Sequence, residues 1–428
     1  MIEYSEALKI LKQAAESETA NLYAERVALD DSLGRIAAKR VVSMETVPPY
    51  ANSAMDGFAI HSKWTEGASA DDPKRFPVLG LIVAGDAPIQ LECGPRSSQQ
   101  PGVFEIMTGA PFPTGPERFD ATIKIEDVLV KRNAEGSAIE IEIKEAATEW
   151  QNYRDAGEDF QIGTEVLRPS VRIESQHIIS LASLGVSELE VQRRPRIALI
   201  STGRELAPLG QALKPGQIRN SSAHFLIAAS KQLGADCRYY GVIADDTKEF
   251  ARTMASALTE KPDLIITTGA VSMGIHDFIG ASLKELGAKI VFHKVAIRPG
   301  KPILFARFKK GPAVFGLPGN PVSTIVGMKF FVEPYLRALQ GRAQEIPIRA
   351  RFQSAGRTTK KPPGLRCFYK ARLTLSEGEP QVAALAEQMS FMVRPLLEAN
   401  AWAVFSEPGN QIADQEWVDV YPVEGFRL

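Results

Sequence analysis

From residue 196 onward, short apolar runs alternate with helical patterns. Arg196-Ile197-Ala198-Leu199-Ile200-Ser201-Thr202 opens the series, and Leu264-Ile265-Ile266-Thr267-Thr268 and Ala313-Val314-Phe315 continue it. Further strands are expected at 238–243, near 289–295 and at 303–307. Apolar positions at helical spacing predict helices over about 221–233, 247–260, 277–286 and 322–339, with Ser221 or Ser222 capping the first. Strand–helix alternation of this kind predicts a mostly parallel, doubly wound α/β sheet. In such a sheet, ligands bind beyond the carboxyl ends of the strands.

The rest of the chain has other periods. Residues 5–16 carry Ala7, Leu8, Leu11, Ala14 and Ala15 on one helical face, with Ser5 as N-cap. From about 58 to 145 the runs are short and often alternating, as in Ile139-Glu140-Ile141-Glu142-Ile143, which predicts a β domain with a polar face. A helical pattern returns at 175–184 and stops at Gly185. After about 342, runs such as Ala401-Trp402-Ala403-Val404-Phe405 predict a small barrel or sandwich. The expected fold is therefore multidomain α/β and β. It comprises a discontinuous helix-containing N-terminal domain (1–45 and 146–191), an inserted β domain (46–145), an α/β domain (192–341) and a C-terminal β-barrel-like domain (342–428).

Composition narrows the class. With 428 residues, 44% hydrophobic and 24% charged, the chain is an ordinary multidomain globular protein. Its 50 basic and 51 acidic residues leave a net charge of −1, which advertises no nucleic-acid surface. Cys93, Cys237 and Cys367 are far apart and odd in number, which fits a reducing cytoplasm. The opening residues lack the pattern of a signal peptide, and no run approaches the roughly 18 apolar residues of a membrane span. A cytoplasmic location is expected.

Chemistry concentrates in the α/β region. The runs 264–268 and 313–315 break into the small-residue loops Gly269-Ala270-Val271-Ser272-Met273-Gly274 and Gly316-Leu317-Pro318-Gly319-Asn320-Pro321-Val322-Ser323. Between them lie Lys294, Arg298 and Lys301. Backbone N–H groups at a helix N-terminus, together with cations, make an anion site. Glu205, Asp245 and Asp277 fall at strand ends beside it and are candidate Mg²⁺ ligands. Asp245-Asp246 before a helix reads more often as an N-cap pair, and Glu205 can be read as a solvated loop carboxylate. No Ser/His/Asp or Cys/His order is recognisable, so covalent catalysis is not favoured.

These stretches, with Asn52-Ser53-Ala54-Met55-Asp56-Gly57, Met107-Thr108-Gly109-Ala110-Pro111, Gly157-Glu158-Asp159, Ser201-Thr202-Gly203-Arg204-Glu205-Leu206 and Pro299-Gly300-Lys301-Pro302, resemble the MoeA family of molybdopterin molybdenumtransferases almost end to end. The gephyrin E domain is a relative of that family. The resemblance implies a homodimer of four-domain subunits. It also implies an enzyme whose substrates are adenylylated molybdopterin and molybdate, with Mg²⁺ as cofactor. The adenylyl anhydride is cleaved, molybdenum is inserted at the dithiolene and AMP leaves. Carried over by position, the catalytic residues are Asp56, Thr108, Asp159, Glu205, Asp245 and Asp277, with Glu205, Asp245 and Asp277 as metal ligands. Ser272, Lys294, Arg298, Lys301, Gly316, Pro318, Gly319, Asn320, Pro321 and Ser323 would bind substrate or oxyanion. A molybdopterin adenylyltransferase, and molybdoenzymes or their chaperones, are the implied partners.

The chain departs from the family pattern at Arg204, Asn220, Ser222, Ala270, Arg298 and the Gln388-Met389-Ser390-Phe391-Met392 segment. Two alternatives accompany the main expectation. One is an adenylyltransferase, which would not need Asp56, Thr108 or Asp159. The other is a molybdopterin-binding dimeric scaffold that has lost turnover.

Overall fold

The computed structural model describes residues 1–19, 22–92, 96–97, 100–116, 118–270, 278–356 and 358–423. Its centre is a six-stranded sheet of β1 (Arg196–Thr202), β2 (Asp236–Ile243), β3 (Leu264–Thr268), β4 (Ala288–His293), β5 (Leu304–Phe308) and β6 (Ala313–Leu317), in the order β2-β1-β3-β6-β5-β4. The first four are mutually parallel, and β5 and β4 are added antiparallel. Leu264, Ile265 and Ile266 are all fully buried, as a parallel strand covered on both faces requires. One face packs against the Ser221–Gln232 helix and the 321–339 helix, the other against Thr247–Thr259 and Ile279–Glu285.

The 321–339 helix is regular at both ends and widens to a π turn over Met328–Val332. Pro334 explains the irregularity. It has no N–H to give the Phe330 carbonyl, and its ring would collide with that carbonyl in a straight helix. Capping differs from expectation at two helices. The first runs Tyr4–Glu16, so Ser5 lies inside it and Glu3 occupies the cap position without a side-chain bond. At Ser221–Gln232 the cap is Asn220, whose side chain accepts from the Ala223 N–H at 3.2 Å.

The first helix also packs where the sequence did not place it. Tyr4, Ala7, Leu11 and Ala15 join the core beneath β1, β3 and β6, with Phe331 and Tyr335. The Ser175–Ser183 helix buries Leu181 in a separate cluster with Ile173, Leu189 and Val191. Around that cluster the two distant parts of the chain pair: Ala24–Ala28 with Glu188–Gln192, and Val41–Val42 with Glu165–Leu167.

Residues 57–143 form a mixed six-stranded sheet, in which Gly57–Ile60 lies between Val103–Ile106 and Ala121–Lys124. In the C-terminal region, Ile348–Gln353, Arg366–Ser376, Glu379–Ala384, Ala401–Phe405 and Trp417–Pro422 close into a five-stranded barrel, because Arg366–Ser376 pairs with both Glu379–Ala384 and Ala401–Phe405. Phe368, Trp402 and Val404 point outward from it into the core of the α/β domain. That contact fixes the barrel beside the central sheet. The fold is thus multidomain α/β and β, as the periods predict. No described helix is long and apolar enough to cross a membrane.

Candidate functional site

The carboxyl ends of β1, β2, β3 and β6 are held level by their register: Thr202 faces Ile243, Ser201 faces Thr268, and Thr268 faces Leu317. The loops that leave these ends enclose a cleft of about 490 Å³. Its wall includes Thr202, Glu205, Thr268, Gly269, Ala270, Pro318, Gly319, Asn320 and Pro321. Ser221 and Ser222 open a twelve-residue helix onto the same space, so unpaired N–H groups face a prospective anion. Gly269 is required here. Its φ is +86°, and a Cβ on it would stand 2.5 Å from the Thr202 carbonyl oxygen. Ala270 follows at φ 47°, an alanine where glycine is the comfortable residue.

Beneath the cleft, Asn220 is 4% exposed. Its amide donates to Ser201 Oγ at 3.0 Å and Tyr239 OH at 2.8 Å while its carbonyl caps the helix. Asn220 is therefore a structural strut under the site.

A second, larger cleft of about 880 Å³ lies between the central domain and the barrel. Arg298, Lys301, Lys360 and Tyr369 line it, with Ser323 at one side. Burial pushes the Tyr369 phenol up, so it remains a donor at neutral pH. Lys361 also borders it, but its ammonium is taken up by the carbonyls of Glu407 and Gly409 at 3.1 and 2.9 Å. Pro302 lines both clefts, and so does the Gln388–Met392 segment: Phe391 faces the smaller cleft, and Met389, Ser390 and Met392 the larger.

Sequence candidates are distributed unevenly over this geometry. Glu205, Pro318, Gly319, Asn320 and Pro321 line the smaller cleft, and Arg298, Lys301 and Ser323 the larger. Gly316 does not belong to the anion loop. It is buried within β6, facing Thr267 on one side and Leu304 on the other. The ladder runs two residues further than the sequence break suggested and stops at Pro318, which has no N–H to continue it. Lys294 follows β4, with its N–H on the Ile303 carbonyl and its own carbonyl accepting from Ile2, outside the lining of both clefts. Asp245 is exposed and also stands outside the smaller cleft's lining, two residues beyond the Ile243 that pairs with Thr202. Its neighbour Asp246 is the N-cap, accepting from Glu249 N–H at 2.8 Å. Ser272 and Asp277 lie outside the described residues.

Asp56, Thr108 and Asp159 form part of a different surface. Ser53 exchanges backbone bonds with Gly109 and Ala110, and Asn52–Ser53 pairs with Tyr153–Arg154, while the Asp159 N–H is held on the Val47 carbonyl at 3.0 Å. Asp56 Oδ1 accepts from the Thr108 N–H at 2.7 Å and hydroxyl at 2.8 Å. Those bonds hold its carboxyl below the ordinary value. Gly57, which opens the strand after Asp56, permits the close approach of the neighbouring strand, since a Cβ there would fall 1.9 Å from the Ile123 carbonyl oxygen.

A hard cation needs one or two carboxylates completed by phosphate oxygens and water. Among the described residues, no three His, Cys, Asp or Glu side chains gather into an all-protein cage. Of the two expected ligands among the described residues, Glu205 lines the cleft and Asp245 does not. That donor set fits an ion that arrives with a phosphate.

Sequence reasoning did not single out Lys360, Tyr369 or the cap role of Asn220. The Lys360-Lys361 pair ahead of two prolines was a usable signal for the first.

Three family models cover the chain: the MoeA N-terminal region (domain I and II) over residues 2–185, a probable molybdopterin binding domain over 198–338, and the MoeA C-terminal region (domain IV) over 354–423. A molybdopterin molybdenumtransferase of Synechococcus elongatus is 38% identical over 94% of this chain and 95% of its own length. That of Bacillus subtilis is 34% identical over 89% and 85%. A crystal structure of the molybdopterin biosynthesis MoeA protein of Pyrococcus horikoshii superposes with a TM-score of 0.77 at 28% identity, covering all of both chains. A second structure of that protein gives 0.78 at 25%, covering 99% of this chain and all of the other. The chain belongs to the MoeA family.

Proposed function

We propose that the chain is a molybdopterin molybdenumtransferase, which inserts molybdenum from molybdate into adenylylated molybdopterin and releases AMP. The observation that carries this reading is the pair of adjoining clefts. One is rimmed by Glu205, two helix N-termini and the Gly319 loop; the other is lined by Arg298, Lys301 and Lys360. The first suits a phosphate-bearing pterin, and the second a free tetrahedral oxyanion. They meet at Pro302, so the two substrates would lie side by side.

Ser221, Ser222 and the Gly319–Pro321 backbone would orient the phosphates. Lys301 and Arg298 would hold molybdate and neutralise its charge. Glu205 would hold Mg²⁺ against the anhydride, with Asp277 and Asp245 as further proposed ligands from neighbouring strand ends. Bound there, Mg²⁺ supplies neutralisation of the phosphate oxygens and of the departing AMP. Lys294 and Ser272 remain proposed contributors to substrate binding.

Asp56, Thr108 and Asp159 would contact substrate from a partner subunit, as in the homodimer the family implies. Asp56, kept ionised by Thr108, would act there as an acceptor. A cytoplasmic location, supply by a molybdopterin adenylyltransferase and delivery to molybdoenzymes or their chaperones complete the proposal.

The test is transfer of molybdenum. Protein, adenylylated molybdopterin, molybdate and Mg²⁺ are mixed, and the product is assayed by reconstituting a cofactor-free molybdoenzyme. Native protein should reconstitute it, and Lys301→Ala should need at least tenfold more molybdate. Failure of native protein to reconstitute the acceptor, with substrate still bound, would favour the scaffold alternative.

A further inference from the structure

The segment between the clefts is mounted in an unusual way. Met389 to Met392 is a tight turn, closed by the Met392 N–H on the Met389 carbonyl at 3.2 Å. Both ends are gripped by one ammonium. Lys370 Nζ donates to the carbonyls of Met392 at 3.1 Å and Met389 at 3.4 Å. Lys370 is fully buried, and its strand is held to the same segment by Gln388, which accepts from Lys370 N–H and donates to Lys370 C=O at 3.0 and 2.9 Å. A third tie runs from the Val322 N–H, at the start of the 321–339 helix, to the Ser390 carbonyl at 3.0 Å.

Burying an ammonium is costly unless its protons are satisfied. Closing a surface turn does not call for one. The arrangement makes sense as a rigid bracket whose corner residues, Ser390 and Phe391, must keep a fixed place. Phe391 is 59% exposed although the Lys370 side chain that grips its turn is buried, and it faces the cleft of Glu205, Gly319 and Asn320. Single exposed apolar side chains are common. One fixed at the corner of a clamped turn, over a cleft with anion-binding helix N-termini, presents a ring face to the cyclic part of a phosphorylated ligand.

We propose that Phe391 is a stacking platform for a planar heteroaromatic ring of the substrate in the Glu205 cleft, and that Lys370 is the positioning residue that holds it there. The inference rests on the molybdopterin reading of that cleft. Two rings of adenylylated molybdopterin have the required chemistry, the pterin and the adenine, and the test separates them.

Binding of adenylylated molybdopterin, molybdopterin alone and AMP alone is measured for the native protein and for Phe391→Ala, Phe391→Leu and Phe391→Tyr. Loss of a stacked aromatic should weaken the adenylylated substrate about tenfold in the alanine variant. Leucine should recover little and tyrosine most of the affinity. A matching loss for molybdopterin alone assigns the pterin; a loss for AMP alone assigns the adenine. Lys370→Met should weaken the same ligand and broaden the aromatic NMR signal of Phe391. Phe391→Ala binding within twofold of native, or leucine serving as well as tyrosine, would overturn the proposal with the function intact. Native protein that binds none of the three ligands would overturn both readings.

Discussion

Asp56 and Thr108 stand 52 positions apart in sequence, yet one carboxylate oxygen of Asp56 takes both the backbone N–H and the hydroxyl of Thr108. The pairing of Gly57 with Ile106 and the Ser53–Gly109 backbone bond bring the two loops together before any ligand arrives. The pairing ties together the ends of two neighbouring strands of the inserted sheet.

A pH dependence follows. The Asp56 carboxyl titrates below its ordinary 3.8, first because of the Thr108 N–H and then because of its hydroxyl. A depressed folded value means the linkage favours the native loop above about pH 3.8 and is lost as pH falls through the folded value. Thr108→Val keeps the N–H and removes the hydroxyl, so the carboxyl should rise part of the way toward the ordinary value. A carboxyl-detected NMR titration measures it. An unchanged titration would show that the hydroxyl bond is not made.

Ala270 carries a positive φ in the lining of the Glu205 cleft. An L-residue there costs about 1–2 kcal/mol over glycine in the folded chain, and glycine's extra freedom when unfolded returns about half of that. Ala270→Gly should therefore raise stability by roughly 0.5–1 kcal/mol, seen as a higher Tm of the α/β domain. A fall in Tm would place the strain elsewhere.

Asn220 is one of the positions at which the chain departs from the family pattern. Its three hydrogen bonds beneath the cleft make it structural. Asn220→Ala removes the cap and leaves Ser201 and Tyr239 without their partner, which should cost about 2–3 kcal/mol in denaturant unfolding. Asn220→Asp should be nearly neutral, because both hydroxyls can reverse and donate to the carboxylate. Equal losses in the two variants would contradict this assignment.

The strands of the α/β domain were legible because parallel strands buried on both faces read as unbroken apolar runs, as at 264–268. The loops that follow them were legible from glycine and proline. Gly316 was misplaced because a glycine inside a ladder looks like one just beyond it. Asn220 was passed over because two serines offered equally good caps one and two residues on. Lys370 could not be found at all. Cys367, Ala371 and Leu373 point into the barrel, so alternation puts Lys370 on the outer face, where a lysine draws no notice. Only the returning 385–392 segment buries it, and nothing local in the sequence says that it does. The packing of the first helix was hidden for the same reason: its apolar face is plain, but not which core it joins.

The proposed reaction is placed in the Glu205 cleft. Single-turnover release of AMP from adenylylated molybdopterin, with and without molybdate and Mg²⁺, tests it directly in native protein and in Glu205→Gln. Release that requires both ions and slows at least a hundredfold in the variant, with substrate affinity within a few-fold of native, is the predicted result. Native release rates in Glu205→Gln at saturating Mg²⁺ would contradict it.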